Sequence, residues 1–149
     1  MKISEIFFSL QGEGIDIGLP TVFVRLFACD LRCTWCDTMY AVEGKDFRDM
    51  TVEQVKSEVL KYDCRKVCIT GGEPLLQAKE LEILAADLIE YGNSLVLETS
   101  GHKMPPPVFW KNESVISMDC KCPSSAMHER MDFSLFKKLR PTDQLKFVI

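Results

Sequence analysis

Residues Cys29 to Thr38 read CDLRCTWCDT, and the rest of the chain is arranged around them. Three cysteines stand at C-x3-C-x2-C spacing, directly after the apolar run TVFVRLF at Thr21 to Phe27. Thiolates so spaced can hold three irons of a [4Fe–4S] cluster, since each cluster iron normally takes one cysteine. The fourth iron has no cysteine nearby in sequence. An iron with an open position can act as a Lewis acid or bind a substrate, whereas a fully ligated cluster usually only passes electrons. Zinc is the competing reading of clustered cysteines. Zinc sites usually bring a second ligand pair. No second C-x2-C exists here, and neither His102 nor His128 belongs to an H-x3-5-H pair, so the spacing favours iron–sulfur.

The bulk properties bound the remaining choices. With 149 residues, 46% of them apolar, the chain supports one domain with a real core. Eighteen basic and 22 acidic residues give a net charge of −4, with no basic stripe. Nucleic-acid binding therefore has no electrostatic footprint, and a small-molecule substrate fits better. No apolar run approaches the length of a membrane span. The opening MKISEIFFSLQGEG lacks the apolar core and cleavage site of a signal peptide. Seven cysteines, an odd number, point to a reducing, cytoplasmic compartment rather than a disulfide framework.

Strand and helix patterns alternate along the chain. Lys2 to Phe8 reads as a first strand and Thr21 to Phe27 as a second. Between them SLQGEG (Ser9 to Gly14) allows close backbone approach to a ligand, although composition alone favours an ordinary hairpin loop. Arg25 interrupts the second strand; it either faces solvent or reaches a ligand carboxylate with its planar fork. Thr51 and Gln54 match a capping box before an amphipathic helix, Val52 to Tyr62. Lys66 to Thr70 (KVCIT) is a short buried strand running into Gly71-Gly72-Glu73-Pro74, where paired glycines again permit close approach. Leu81, Leu84, Ala85 and Leu88 mark a helix ending near Gly92. Ser94 to Glu98 is a strand followed by Thr99-Ser100-Gly101. Pro105 to Pro107 forbid a regular helix in the next place. Ser114 to Met118 is a strand that delivers a loop of Asp119, Cys120, Lys121 and Cys122. A short helix, Asp132 to Lys138, and a strand, Leu145 to Ile149, complete the chain.

Such alternation implies an α/β fold with a mostly parallel sheet and right-handed crossovers. In barrel-like α/β folds chemistry gathers on loops at the C-terminal ends of strands. The cysteine loop, GGEP, TSG and DCKC all fall there. Cys64 and Cys68, or Cys120 and Cys122, could form an extra metal site, but a cysteine in a buried strand such as Cys68 is better read as a small apolar residue.

At SLQGEG, FVRL, CxxxCxxCDT and GGEP together, the chain resembles the 7-carboxy-7-deazaguanine synthases of the radical S-adenosylmethionine superfamily. The resemblance extends from the first strand to the last. It implies a single domain over residues 1–149 with a modified, partial (β/α) barrel, truncated at its C-terminal end relative to the family. It further implies conversion of 6-carboxy-5,6,7,8-tetrahydropterin to 7-carboxy-7-deazaguanine with loss of ammonia, in queuosine-type biosynthesis. Implied partners are the pterin, a flavodoxin- or ferredoxin-type electron donor and a second copy in a homodimer. Implied cofactors are the [4Fe–4S] cluster, S-adenosylmethionine and Mg²⁺.

By position, the resemblance makes Cys29, Cys33 and Cys36 the cluster ligands and Thr38 the Mg²⁺ ligand. Trp35, Cys36, Asp37, Gly72, Asp119, Cys120 and Lys121 become S-adenosylmethionine contacts. Leu10, Gln11, Gly12, Glu13, Arg25 and Thr70 become substrate contacts, with Arg25 on the substrate carboxylate. One loop departs from the family: relatives often read Ser-Pro-Lys where this chain reads Asp119-Cys120-Lys121. A glycyl-radical activase shares CxxxCxxC and GGEP but not SLQGEG, Arg25 and Thr38. A non-catalytic iron–sulfur or zinc protein is the rival from another class.

Overall fold

Alternating side-chain character along five parallel strands builds this molecule. The computed structural model describes residues 1–148. Ile149, the last residue of the LKFVI run, lies outside the described residues. The strands are β1 (Lys2–Leu10), β2 (Pro20–Leu26), β3 (Arg48–Asp49), β4 (Lys66–Gly71), β5 (Ser94–Thr99), β6 (Ser114–Lys121) and β7 (Gln144–Val148). They form one sheet in the order β3-β1-β2-β4-β5-β6-β7. β2, β4, β5, β6 and β7 run parallel, and β1 pairs antiparallel with both β2 and β3. SLQGEG is thus split: Ser9 and Leu10 finish β1, and the rest opens the hairpin loop to β2.

The two sheet faces are chemically different because side chains alternate along each strand. One face carries Val22, Val24, Leu26, Val67, Ile69, Leu95, Leu97, Ile116 and Met118 into the main core. The helices α1 (Val52–Val59) and α2 (Ala78–Glu90) cover it with Val55, Val59, Leu81, Leu84, Ala85 and Leu88. The prolines at 105–107 replace a third covering helix by a 3-10 turn, Pro107–Trp110, whose Phe109 is wholly buried. The opposite face holds a small apolar cluster of Phe7, Phe23, Cys68, Val96 and Val115, with Phe7 and Phe23 stacked at 5.0 Å. Two residues further along β2, β4 and β5, the same face presents Arg25, Thr70 and Glu98; on β6 it presents Asp119. On this face β2, β4, β5 and β6 therefore run from an apolar floor to a polar rim.

Local signals are resolved in detail. The Thr51 hydroxyl accepts from the Gln54 N–H at 3.2 Å, while the Gln54 side chain accepts from the Thr51 N–H at 2.8 Å. The helix expected through Tyr62 tightens after Val59 into a 3-10 turn, Leu60–Tyr62, and stops at Asp63 in the left-handed region, φ +46°. The last helix, α3, is shorter than expected, Phe133–Phe136, and Asp132 caps it. β6 runs on through Asp119, Cys120 and Lys121, which are therefore strand rather than loop. Their polar–apolar–polar order suits a strand, and Cys120 turns away to the helix-covered side.

A clasp sets β7 beside β6. The Arg140 guanidinium donates to Asp143 at 2.8 Å and to the carbonyls of Lys111 and Ser114 at 2.6 and 2.8 Å. Asp143 accepts from the Ile116 N–H at 2.9 Å. Burial opposes the charge on Asp143, but Arg140 and two backbone N–H groups outweigh it and hold the carboxyl below the usual range. A depressed folded-state pKa contributes stability above the unfolded value of about 3.9 that is lost as pH falls through the folded one. Urea midpoints should therefore drop below about pH 4, and Asp143→Asn should lower the midpoint at pH 7 and make the acid limb shallower.

Candidate active site

One cavity of about 520 Å³ opens over the polar rim. Its lining brings together Cys29, Cys33, Trp35, Cys36, Asp37 and Thr38 from the thiol loop with Gly72 from the turn after β4. Leu10, Gln11, Gly12 and Glu13 from the first hairpin, Arg25, Thr70, Asp119 and Lys121 line it as well. Of the cluster, Mg²⁺, nucleotide and substrate positions that the resemblance implies, Cys120 alone is not in the lining: its side chain is buried on the other face.

The thiol loop is held where β2 and β4 end. The Gly72 N–H donates to the Leu26 carbonyl at 3.1 Å and the Glu73 N–H to that of Ala28 at 2.9 Å. The approach is too close for side chains. A Cβ on Gly71 would stand 2.3 Å from the Leu26 oxygen; one on Gly72 would stand 2.4 Å from that of Ala28 and 2.9 Å from the Cys29 Cβ. Ala28 itself takes φ +83°, which turns the chain out of β2 and into the loop.

The three thiols are free. Among the described residues, no three His, Cys, Asp or Glu side chains converge as donors of one metal ion would. Burial pushes the Cys29 thiol up, the Leu31 N–H pulls it down, and the Glu73 and Asp30 carboxylates push it up further. Burial also raises Cys33, against the pull of Lys121. Metal binding must therefore displace thiol protons.

Around the cavity the charges are sorted. Arg25 donates from Nε to Glu5 at 2.7 Å, and Tyr40 donates to the same carboxylate oxygen at 2.8 Å. Among the described residues the terminal nitrogens of Arg25 have no hydrogen-bond acceptor, leaving a planar fork for a ligand carboxylate. Lys121 pairs with Asp119 and lies 5.2 Å from the centre of the Trp35 ring. Sequence reasoning missed two charged residues here. Glu98 accepts from Thr70 at 2.9 Å and from Gln11 at 3.3 Å. Lys146 meets Glu13 at 2.7 Å and Asp119 at 3.3 Å, and these carboxylates raise its pKa against the cost of burial. Ser100 also lines the cavity. A charged residue alternating with apolar ones in SLVLE or LKFVI was the available signal.

Cys64 and Cys68 lie on opposite faces of the sheet, which rules out their sharing a metal ion.

An open, mostly parallel sheet with a three-thiol loop at its rim defines a protein of the radical S-adenosylmethionine class. The family model described as the Radical SAM superfamily matches residues 24–113. A 7-carboxy-7-deazaguanine synthase of Methanospirillum hungatei is 45% identical over all of this chain and 61% of its own length. One from Thermoplasma acidophilum is 36% identical over all of this chain and 70% of its own. The chain thus belongs to the 7-carboxy-7-deazaguanine synthase family of that superfamily, whose cofactors are a [4Fe–4S] cluster and S-adenosylmethionine. It spans 61% of the M. hungatei relative and 65% of that from Koribacter versatilis. The crystal structure of QueE from Escherichia coli superimposes with a TM-score of 0.73, at 22% identity, over 99% of this chain and 84% of that one. The α/β partial-barrel expectation is borne out by this likeness.

Gly72→Ala should cost about 1–3 kcal/mol, as overpacking against fixed backbone does. Thermal unfolding should show the loss, and iron bound per chain after anaerobic reconstitution should fall with it.

Proposed function

We propose that this chain carries the catalytic core of a synthase that converts 6-carboxy-5,6,7,8-tetrahydropterin to 7-carboxy-7-deazaguanine and ammonia, feeding queuosine-type 7-deazapurine synthesis. The observation that carries the reading is the arrangement of one cavity. Three thiols stand beside the Gly71–Gly72 turn, and an arginine with an open fork shares the space with them.

Cys29, Cys33 and Cys36 would hold the cluster, which when bound supplies the electron that splits the sulfonium nucleotide. Gly72, with no side chain between its backbone and the cavity, would receive the amino end of that nucleotide. Trp35, Cys36, Asp37, Asp119 and Lys121 would flank it; the buried side chain of Cys120 would not. Arg25 would bind the pterin carboxylate, with Glu5 fixing the guanidinium plane. Gln11, Thr70 and Glu98 already form a hydrogen-bonded row, and Glu98 can accept from N–H groups on the pterin edge. Leu10, Gly12 and Glu13 would close the hairpin side. The Thr38 hydroxyl, an oxygen donor at the cavity wall, suits Mg²⁺, which would orient the substrate carboxylate. We further propose one domain over residues 1–149, a homodimer, a cytoplasmic setting and a flavodoxin- or ferredoxin-type donor. Among the described residues no helix is long and apolar enough to cross a membrane.

Anaerobic incubation with dithionite, S-adenosylmethionine and the tetrahydropterin should give 5′-deoxyadenosine and the contracted product by mass spectrometry. 5′-Deoxyadenosine from a protein substrate instead would indicate an activase; no cleavage under any condition would indicate a non-catalytic metal protein. Cys33→Ala should abolish both the cluster absorbance and 5′-deoxyadenosine. Arg25→Gln should keep the cluster and raise the KM for the pterin about 10- to 100-fold, the worth of about 1.5–3 kcal/mol for a hydrogen bond to a charged group.

A further inference from the structure

A buried polar chain runs from the Gly-Gly-Glu turn to the thiol loop, behind the stretch of cavity wall that Thr99 and Ser100 line. It begins at Glu73, which is wholly buried. That carboxylate accepts from the Leu75 N–H at 2.9 Å, the Thr99 hydroxyl at 2.8 Å, the Ser100 N–H at 2.9 Å and the Ser100 hydroxyl. The Ser100 oxygen lies 2.9 Å from Nδ1 of His102. Nε2 of His102 lies 2.8 Å from Asp30, the residue after Cys29. The His102 side chain is only 4% exposed. At the outer end Lys103 also meets Asp30, at 3.0 Å, and Arg130 approaches it to 4.0 Å.

A carboxylate oxygen accepts, so at the outer end of this chain Nε2 of His102 is the donor to Asp30. Asp30 is the chain neighbour of Cys29, so this chain of contacts ends beside the first thiol of the loop. Reduction potentials of clusters depend on nearby net charge and on hydrogen bonding, and outer partners orient metal ligands.

We propose that His102 is a positioning residue. Through Asp30 it fixes the Cys29 end of the thiol loop against the Gly-Gly-Glu turn, and its hydrogen bond to that carboxylate tempers the negative charge beside the iron that Cys29 would bind. This rests on the cluster reading above. Nothing in it requires His102 to touch substrate or nucleotide.

The test is an EPR-monitored redox titration of the anaerobically reconstituted full chain, with S-adenosylmethionine binding followed on the same samples. His102→Phe fills the space but donates nothing, so the cluster midpoint should move to more negative potential and nucleotide binding should weaken. Asp30→Asn keeps the shape and removes a charge, so the midpoint should move the other way. His102→Gln, which retains an N–H for Asp30, should recover part of the shift. An unmoved midpoint in a loaded His102→Phe protein overturns the proposal. So do shifts of the same sign in His102→Phe and Asp30→Asn, because loosening alone would produce them. Should His102→Phe fail to fold, Asp30→Asn decides: a midpoint that does not rise overturns it. Native protein that takes up no cluster overturns the functional reading as well, which separates the two failures.

Discussion

The close approach of β2 and β4 at their C-terminal ends is the constraint on which the site depends. Where the two strands end, backbone meets backbone with no side chain between them: Gly72 against Leu26, Glu73 against Ala28. That contact fixes where Cys29 begins its loop, and it requires glycine at 71 and 72 because any Cβ there would collide with carbonyl oxygen. It also explains why Ala28 adopts a left-handed conformation that costs a non-glycine residue about 1–3 kcal/mol. The strain persists because hydrogen bonds on both sides over-determine the turn: Ala28 donates to Ala41 at 2.8 Å and accepts from Glu73.

Glu73 converts that approach into a three-loop joint. An isolated carboxylate with no exposed surface would be costly to bury, and this one is surrounded by donors from the turn after β4 and the turn after β5. Removing it would strand several buried donors at once, each costing about 1–3 kcal/mol unsatisfied. The carboxyl group is therefore a structural tie whose partners happen to reach the thiol loop. The Gly-Gly-Glu-Pro stretch does two jobs with adjacent residues: glycines make room beside the cavity, and the glutamate ties the rim together behind it.

Much of this was legible in the sequence, for physical reasons that differ by element. The C-x3-C-x2-C loop was readable because ligand spacing is local. The capping box at Thr51 and the apolar stripe of α2 were readable because their periodicity is local too. Glu98 and Lys146 were not, because each looks like an ordinary polar position in a strand until the sheet curvature shows which face encloses a cavity. β6 extended past Met118 because Asp119 and Lys121 face the cavity while Cys120 faces the core. A polar–apolar–polar triplet was mistaken for a loop. The Glu73–Ser100–His102–Asp30 chain joins residues up to 72 positions apart, and no local pattern announces it.

Charge placement completes the link from sheet to chemistry. The strand rule, apolar floor then polar rim, delivers side chains of chosen sign to adjacent strands: Arg25 on β2, Thr70 on β4, Glu98 on β5, Asp119 on β6. At the β2 side, beside the antiparallel hairpin, Arg25 spends only its Nε on Glu5. At the other side Asp119 stands by the thiol loop paired with both Lys121 and Lys146. Lys146 also meets Glu13, so carboxylates that would otherwise repel one another across the gap share one cation. The cation on β7 therefore lets the carboxylates of the first hairpin and of β6 sit close together on one rim.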